Sequence, residues 1–147
     1  MQESTTKDFD NLCGVDPLVN IFKELIVIDT KSDPTSKTVP STVGQLRFGA
    51  YLISRISELG FNAKQDDKGI VTVTIPASDG CENAKSLCLL AHMDTAPDCS
   101  GADVKAHLVK KYQGGEIRLE NGLILDKSIC SSLEEMKGQD IIVTDGN

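Results

Sequence analysis

The stretch Ser86 to Gly101, SLCLLAHMDTAPDCSG, contains the strongest indication of the fold and of a functional site. Its apolar run from Leu87 to Ala91 ends on His92, and Asp94 follows two residues later, where the sequence becomes polar. A strand with two apolar faces is typical of the centre of a sheet that is covered on both sides. The stretch therefore predicts a buried strand that delivers an imidazole and a carboxylate to its C-terminal edge, where open α/β sheets usually bind ligands.

Composition limits the classes of function open to the 147 residues. A hydrophobic content of 39% and a charged content of 25% fit one globular domain. Acidic residues outnumber basic ones by 22 to 15 and no basic cluster is present, which argues against nucleic acid as a partner. No apolar run approaches the roughly 20 residues of a membrane helix, and the N-terminus lacks the apolar core of a signal peptide. The five cysteines are irregularly spaced, which favours reduced thiols and a cytoplasmic location.

Two helices are indicated near the N-terminus. The polar residues 1 to 15 are expected to form a flexible arm, and the folded domain is expected to cover 16 to 147. Asp16-Pro17 is a helix-start signal, and apolar residues at helical spacing predict a helix over about 17 to 29. Thr42 and Gln45 have the spacing of a capping box for a second helix that ends at Gly60.

The remaining apolar patterns predict strands. Residues 61 to 65 and 71 to 75 are typical of two strands joined by a turn, and Asn121-Gly122 lies at the centre of a hairpin. Ile141 to Val143 is expected to be a strand, whereas Val104 to Gly115 shows no clear pattern. Together these elements predict an α/β fold with helices packed on a mixed sheet.

His92 and Asp94 are the candidate site residues. Two residues apart on an extended backbone, they lie on the same face, so that the carboxylate can orient an imidazole bound to a metal. His-x-Asp is a common tripeptide, however, and a structural or surface histidine is the simpler alternative. A catalytic zinc site needs about three protein ligands, and this sequence offers no convincing set. The other candidates have simpler roles in packing or in solvated loops: Cys88, Asp98, Cys99, Asp103 and His107.

Longer motifs resemble a known family. Residues 89 to 122, LLAHMDTAPDCSGADVKAHLVKKYQGGEIRLENG, are similar to the N-terminal part of the peptidase T family, the tripeptide aminopeptidases. Val39-Pro40-Ser41-Thr42 and the closing run from Ile142 to Gly146 extend the resemblance, which covers nearly the whole chain from about residue 17. The family belongs to the zinc exopeptidases with paired metal ions.

The resemblance implies an α/β catalytic domain that holds two zinc ions and a bridging water. It implies that His92 is a ligand of one zinc, that Asp94 has a catalytic role as the carboxylate that orients it, and that the substrates are short peptides. The family's bridging aspartate, glutamate base and separate lid and dimerisation domain cannot be placed on this sequence, and Asp145 is assigned to a turn.

Residues 16 to 147 are therefore expected to be the N-terminal part of a peptidase catalytic domain. This part is expected to be inactive by itself, and an oligomer is possible. The alternative is a non-catalytic, peptidase-like remnant that serves as a binding module or has no function.

Overall fold

The computed structural model describes residues 5 to 146. They divide into two compact units: the residues up to Ile28 together with those from Gly101 onward, and the continuous segment Asp29–Ser100. Helices and small sheets occur together, which confirms the predicted α/β class. Within the described residues the sheets are three separate antiparallel pairs rather than one mixed sheet.

Residues 5 to 146 contain three α-helices, one short 3-10 helix and six strands. The helices are α1 (Thr6–Cys13), α2 (Pro17–Ile26), α3 (Val43–Glu58) and the 3-10 helix Ser131–Met136. The strands are β1 (Ala63–Gln65), β2 (Val71–Val73), β3 (Ala106–Val109), β4 (Ile117–Arg118), β5 (Ile124–Leu125) and β6 (Ile141–Thr144). No helix among residues 5 to 146 is long and apolar enough to cross a membrane.

Helix α1 corrects the prediction of a flexible arm for residues 5 to 15, while residues 1 to 4 of that prediction lie outside the described residues. The Thr5 hydroxyl accepts a hydrogen bond from the Asp8 N–H at 3.1 Å and so caps the helix. Phe9 is buried in the first unit, and Leu12 and Cys13 of the same helix pack against its cluster. A helix this short is stable only through such packing, which is why a composition-based prediction missed it.

Helix α2 begins where its sequence signal predicts. Oδ1 of Asp16 accepts hydrogen bonds from the N–H groups of Leu18 at 2.9 Å and Val19 at 3.4 Å, and Pro17 occupies the first turn. These bonds satisfy two of the amides that a helix start leaves without a partner.

Replacing Asp16 with alanine is expected to lower the free energy of unfolding by about 1 kcal/mol, because the cap is lost. Chemical denaturation of Asp16→Ala measures this change, and Asp16→Asn is the matched variant, since its amide oxygen can still accept both bonds. Equal losses in the two variants would contradict a capping role.

Strand β3 is the buried strand of the first unit. It pairs antiparallel with β6, and its opposite edge forms a bridge in which Thr5 and Leu108 exchange backbone hydrogen bonds of 3.2 and 3.3 Å. All four residues are buried, and alternate ones point to opposite sides. Ala106 and Leu108 pack with Phe9 in one cluster. On the other side, a second cluster is formed by Val109, Tyr112, Ile117, Leu133 and Val143.

In the second unit, α3 packs on the β1–β2 hairpin. Gly49 permits this close approach, because a Cβ at that position would lie 2.0 Å from the Gln65 side-chain nitrogen. The predicted capping box is wrong in its partners: Thr42 donates to the Lys31 carbonyl at 3.0 Å, and Gln45 accepts from the Ser41 N–H at 3.1 Å. The helix ends near Gly60, which has the left-handed φ of 84° expected for this position.

The predicted central strand over Leu87 to Ala91 does not form. Leu87, Leu89 and Leu90 are 85%, 86% and 93% exposed, and Cys88, expected to fill the core, is exposed as well. Within the described residues no strand pairs with this segment. An apolar run becomes a central strand only when neighbouring strands bond to both its edges and other layers cover its faces. The apolar side chains of this segment are therefore exposed, whereas β6 is paired and partly buried.

Candidate functional site

The side chains of His92 and Asp94 lie together, as their spacing predicts. Nδ1 of His92 is 3.2 Å from Oδ1 of Asp94. The imidazole is 85% exposed, and its Nε2 has no hydrogen-bond partner in the part of the chain that the structure describes. This contact favours the tautomer with the proton on Nδ1, which leaves the Nε2 lone pair directed to solvent and able to bind a metal ion.

The loop that follows Asp94 is held by backbone bonds to the segment before α3. The Thr95 N–H donates to the Thr30 carbonyl at 3.3 Å, and the Thr95 carbonyl accepts from the Ser32 N–H and the Ser32 hydroxyl, both at 3.0 Å. Lys31 and Thr95 thus form a parallel bridge. The His92–Asp94 pair is therefore connected directly to a structured segment of the second unit.

The described residues fit one metal ligand but not a complete zinc centre. No group of three or more histidine, cysteine, aspartate or glutamate side chains within residues 5 to 146 is arranged to hold a metal ion. Cys99, Asp98 and Asp103 are exposed. His92 with Asp94 matches a zinc-bound imidazole and its orienting carboxylate, which is one ligand of the three or so that a catalytic zinc needs.

His107 and Asp145 have structural positions in the first unit. Nδ1 of His107 is 3.1 Å from the Thr6 hydroxyl, and its Nε2 lies 3.2 Å from Oε1 of Glu120 without the alignment of a hydrogen bond. The ring is buried in β3, as the packing interpretation expects. Asp145 is buried and exchanges backbone and side-chain contacts with Lys105, in keeping with its assignment to a turn.

Sequence reasoning missed a cavity in the second unit. It has a volume of about 570 Å³ and borders the segment that is bridged to Thr95. The one sequence signal for this region is the high content of serine, threonine, proline and charged residues in the loop before α3. The lining residues are Asp29, Lys31, Ser32, Asp33, Pro34, Thr42, Gly44, Arg47 and Pro97.

Two carboxylates of this cavity are oriented by local bonds. Oδ1 of Asp29 accepts the Lys31 N–H at 3.0 Å. Oδ1 of Asp33 accepts the Thr35 hydroxyl at 2.7 Å and the Thr35 N–H at 2.8 Å. These bonds, with the hydroxyl contributing most, lower the pKa of Asp33 below its usual value. Asp33 is therefore charged at neutral pH.

Comparison with known proteins finds relatives that carry a single name. No family model matches the chain. The chain is 39% identical to peptidase T of Clostridium perfringens over 127 residues, which are 85% of this chain and 31% of that protein. It is 39% identical to peptidase T of Geobacillus kaustophilus, over 88% of this chain and 32% of that protein. With peptidase T of Clostridium acetobutylicum it shares 35% identity over 90% of its own length and 33% of the relative's.

The chain spans about one third of the length of the curated relatives that it matches. Almost all of its own length takes part in each alignment, and the aligned relatives carry the same name. The chain is thus similar, over 85% to 90% of its own length, to part of several proteins named peptidase T.

Proposed function

We propose that this chain supplies part of the catalytic site of a zinc-dependent aminopeptidase that releases the N-terminal residue of tripeptides. The observation that carries the proposal is the contact of 3.2 Å between His92 and Asp94, in a chain whose relatives are named peptidase T. The five free cysteines support a reducing, cytoplasmic location.

The two residues have different roles in this proposal. Nε2 of His92 is a ligand of one of two zinc ions, which when bound polarise the peptide carbonyl and lower the pKa of a bound water. Asp94 accepts the Nδ1–H and so fixes the orientation and the tautomer of the ring. Because both side chains lie at the surface of the second unit, Nε2 is accessible to a metal ion from solvent.

The 147-residue chain alone is proposed to be inactive on tripeptides. A catalytic zinc site takes about three protein ligands, and a single imidazole with its carboxylate cannot hold two metal ions. The alternative, a non-catalytic binding module, predicts that zinc has no preference for His92.

Zinc binding by the purified chain, measured by competition with a chromophoric chelator, tests the proposal. We expect weak binding that His92→Ala abolishes and that Asp94→Asn weakens about tenfold to a hundredfold, since the amide cannot accept the imidazole N–H as a carboxylate does. Asp98→Asn, four residues further along the same loop, is the matched control and should bind zinc like the parent.

An assay with trialanine accompanies the titration. Turnover by the chain that His92→Ala removes would contradict the proposed inactivity, and zinc binding unaffected by His92→Ala would contradict the assignment of the ligand.

A further inference from the structure

The cavity in the second unit combines two cations with two carboxylates. Lys31 and Arg47 supply the positive charges, and Asp29 and Asp33 supply the negative ones. Within residues 5 to 146 neither the Lys31 ammonium nor the Arg47 guanidinium forms an ion pair or a hydrogen bond. Opposite charges therefore line one space without neutralising each other by direct contact.

The carboxylates are held by bonds that occupy only part of their capacity. The local donors to Asp29 and Asp33 bind Oδ1 in each case, and a carboxylate has about four lone-pair sites on its two oxygens. Both side chains can thus accept further hydrogen bonds from a ligand while their orientation is kept by the backbone.

The walls of the cavity are defined by close backbone packing. A Cβ at Gly44 would lie 2.0 Å from the Asp29 carbonyl oxygen, so glycine is needed for the first turn of α3 to approach Asp29. On another side the bridge between Lys31 and Thr95 fixes the loop that contains Pro97. A volume of about 570 Å³ is within the range of small-molecule sites.

The balance of charges selects the class of ligand. A phosphate would be attracted by Lys31 and Arg47 but repelled by both carboxylates, and a divalent cation would meet the reverse conflict. A molecule that carries one carboxylate and one ammonium group can pair with both kinds of charge that line the cavity. Arginine is also the side chain whose planar donor pair matches a carboxylate.

We propose that this cavity binds a small zwitterion, with its carboxylate at Arg47 and Lys31 and its ammonium group at Asp29 and Asp33. Free α-amino acids and short unblocked peptides have this chemistry. The site is inferred from the geometry and charges of the cavity. Only the identification of its ligand as a peptide end or a released amino acid rests on the proposed function.

An NMR titration of the ¹⁵N-labelled chain tests the site, with L-alanine, trialanine, and trialanine blocked by acetyl and amide groups as probes. We expect alanine or trialanine at millimolar concentration to shift the backbone amides of Lys31, Ser32 and Gly44, and the blocked peptide to leave them unchanged. Tighter binding of trialanine identifies a peptide, and equal or tighter binding of alanine identifies a free amino acid. Equal shifts with the blocked peptide, or no shift with either zwitterion, would overturn the proposal.

Variants assign the contacts. Arg47→Gln is expected to weaken binding at least about tenfold, because a charge-assisted pair is lost. Asp33→Asn is expected to weaken binding of the zwitterions but to leave N-acetylated trialanine unaffected. Lys37→Gln removes an exposed charge of the same loop that does not line the cavity, and should bind like the parent. Identical affinities for Arg47→Gln and Lys37→Gln would contradict the proposed contacts.

All titrations contain a chelator, so their result is independent of any zinc at His92. Absence of amide shifts with the zwitterions would not contradict His92 as a metal ligand. Absence of zinc binding would not contradict the proposed ligand of the cavity.

Discussion

Phe9→Ala is expected to destabilise the first unit by about 3 to 5 kcal/mol, the usual cost of removing a buried aromatic ring. Phe9 is only 2% exposed and packs with Ala106 and Leu108 on one side of β3. The ring is the main apolar contact between α1 and the strand. Its loss would leave a cavity and separate a short helix that has little stability of its own.

The midpoint of urea unfolding, followed by circular dichroism, measures the effect. Leu18→Ala is the matched control, since Leu18 is 74% exposed on α2 and its truncation should change the free energy of unfolding by no more than about 0.5 kcal/mol. Similar small changes in both variants would show that α1 does not pack on β3 in solution.

The exposed leucines give the second large effect. We expect the purified chain to self-associate, and the triple variant Leu87→Ser, Leu89→Ser, Leu90→Ser to raise the apparent dissociation constant by about a hundredfold or more. The three apolar side chains are exposed on one short segment that has no backbone partners among the described residues. Such exposure is typical of an association site.

Sedimentation velocity over a range of concentrations follows the association. Val15→Ser removes a single apolar side chain that is 79% exposed in a different part of the chain, and should leave the association unchanged. A parent chain that stays monomeric with a cooperative melt, or an equal loss of association in Val15→Ser, would contradict the assignment to the leucines.

Local signals in the sequence predicted local structure well. Asp16 and Pro17 predict the start of α2, and Asn121-Gly122 predicts the hairpin of β4 and β5. Both predictions succeed because these residues act on backbone groups close to them in the chain. The contact between His92 and Asp94 is of the same kind, since a spacing of two residues on extended backbone places both side chains on one face.

Burial was harder to predict because it depends on distant partners. The apolar run from Leu87 to Ala91 has a stronger strand pattern than Ala106–Val109, which contains a histidine and is flanked by lysines. Yet Ala106–Val109 is the buried strand, because Thr5 and β6 bond to its two edges and Phe9 covers one face. The pattern specifies which residues can be buried, and the partners decide which of them are.

The cavity lay outside sequence reasoning for the same reason. Lys31 lies in a loop and Arg47 in a helix, and in the sequence both resemble ordinary charged surface residues. Pro97 lines the cavity because its loop is joined to the segment from Thr30 to Ser32 by the backbone bonds of Thr95. Arrangements that join residues far apart in the chain have no periodic signature.

The bridge between Thr5 and Leu108 also bears on the order of folding. The adjacent contact between Thr6 and His107 joins residues 101 positions apart, so α1 cannot dock during synthesis until β3 has left the ribosome. The second unit is continuous over Asp29–Ser100 and needs no residue outside that range for its α3 and hairpin contacts. During synthesis from the N-terminus, the β1–β2 hairpin and the loop of His92 and Asp94 can therefore fold before the first unit is complete. Folding of the first unit has the larger loop-closure entropy cost.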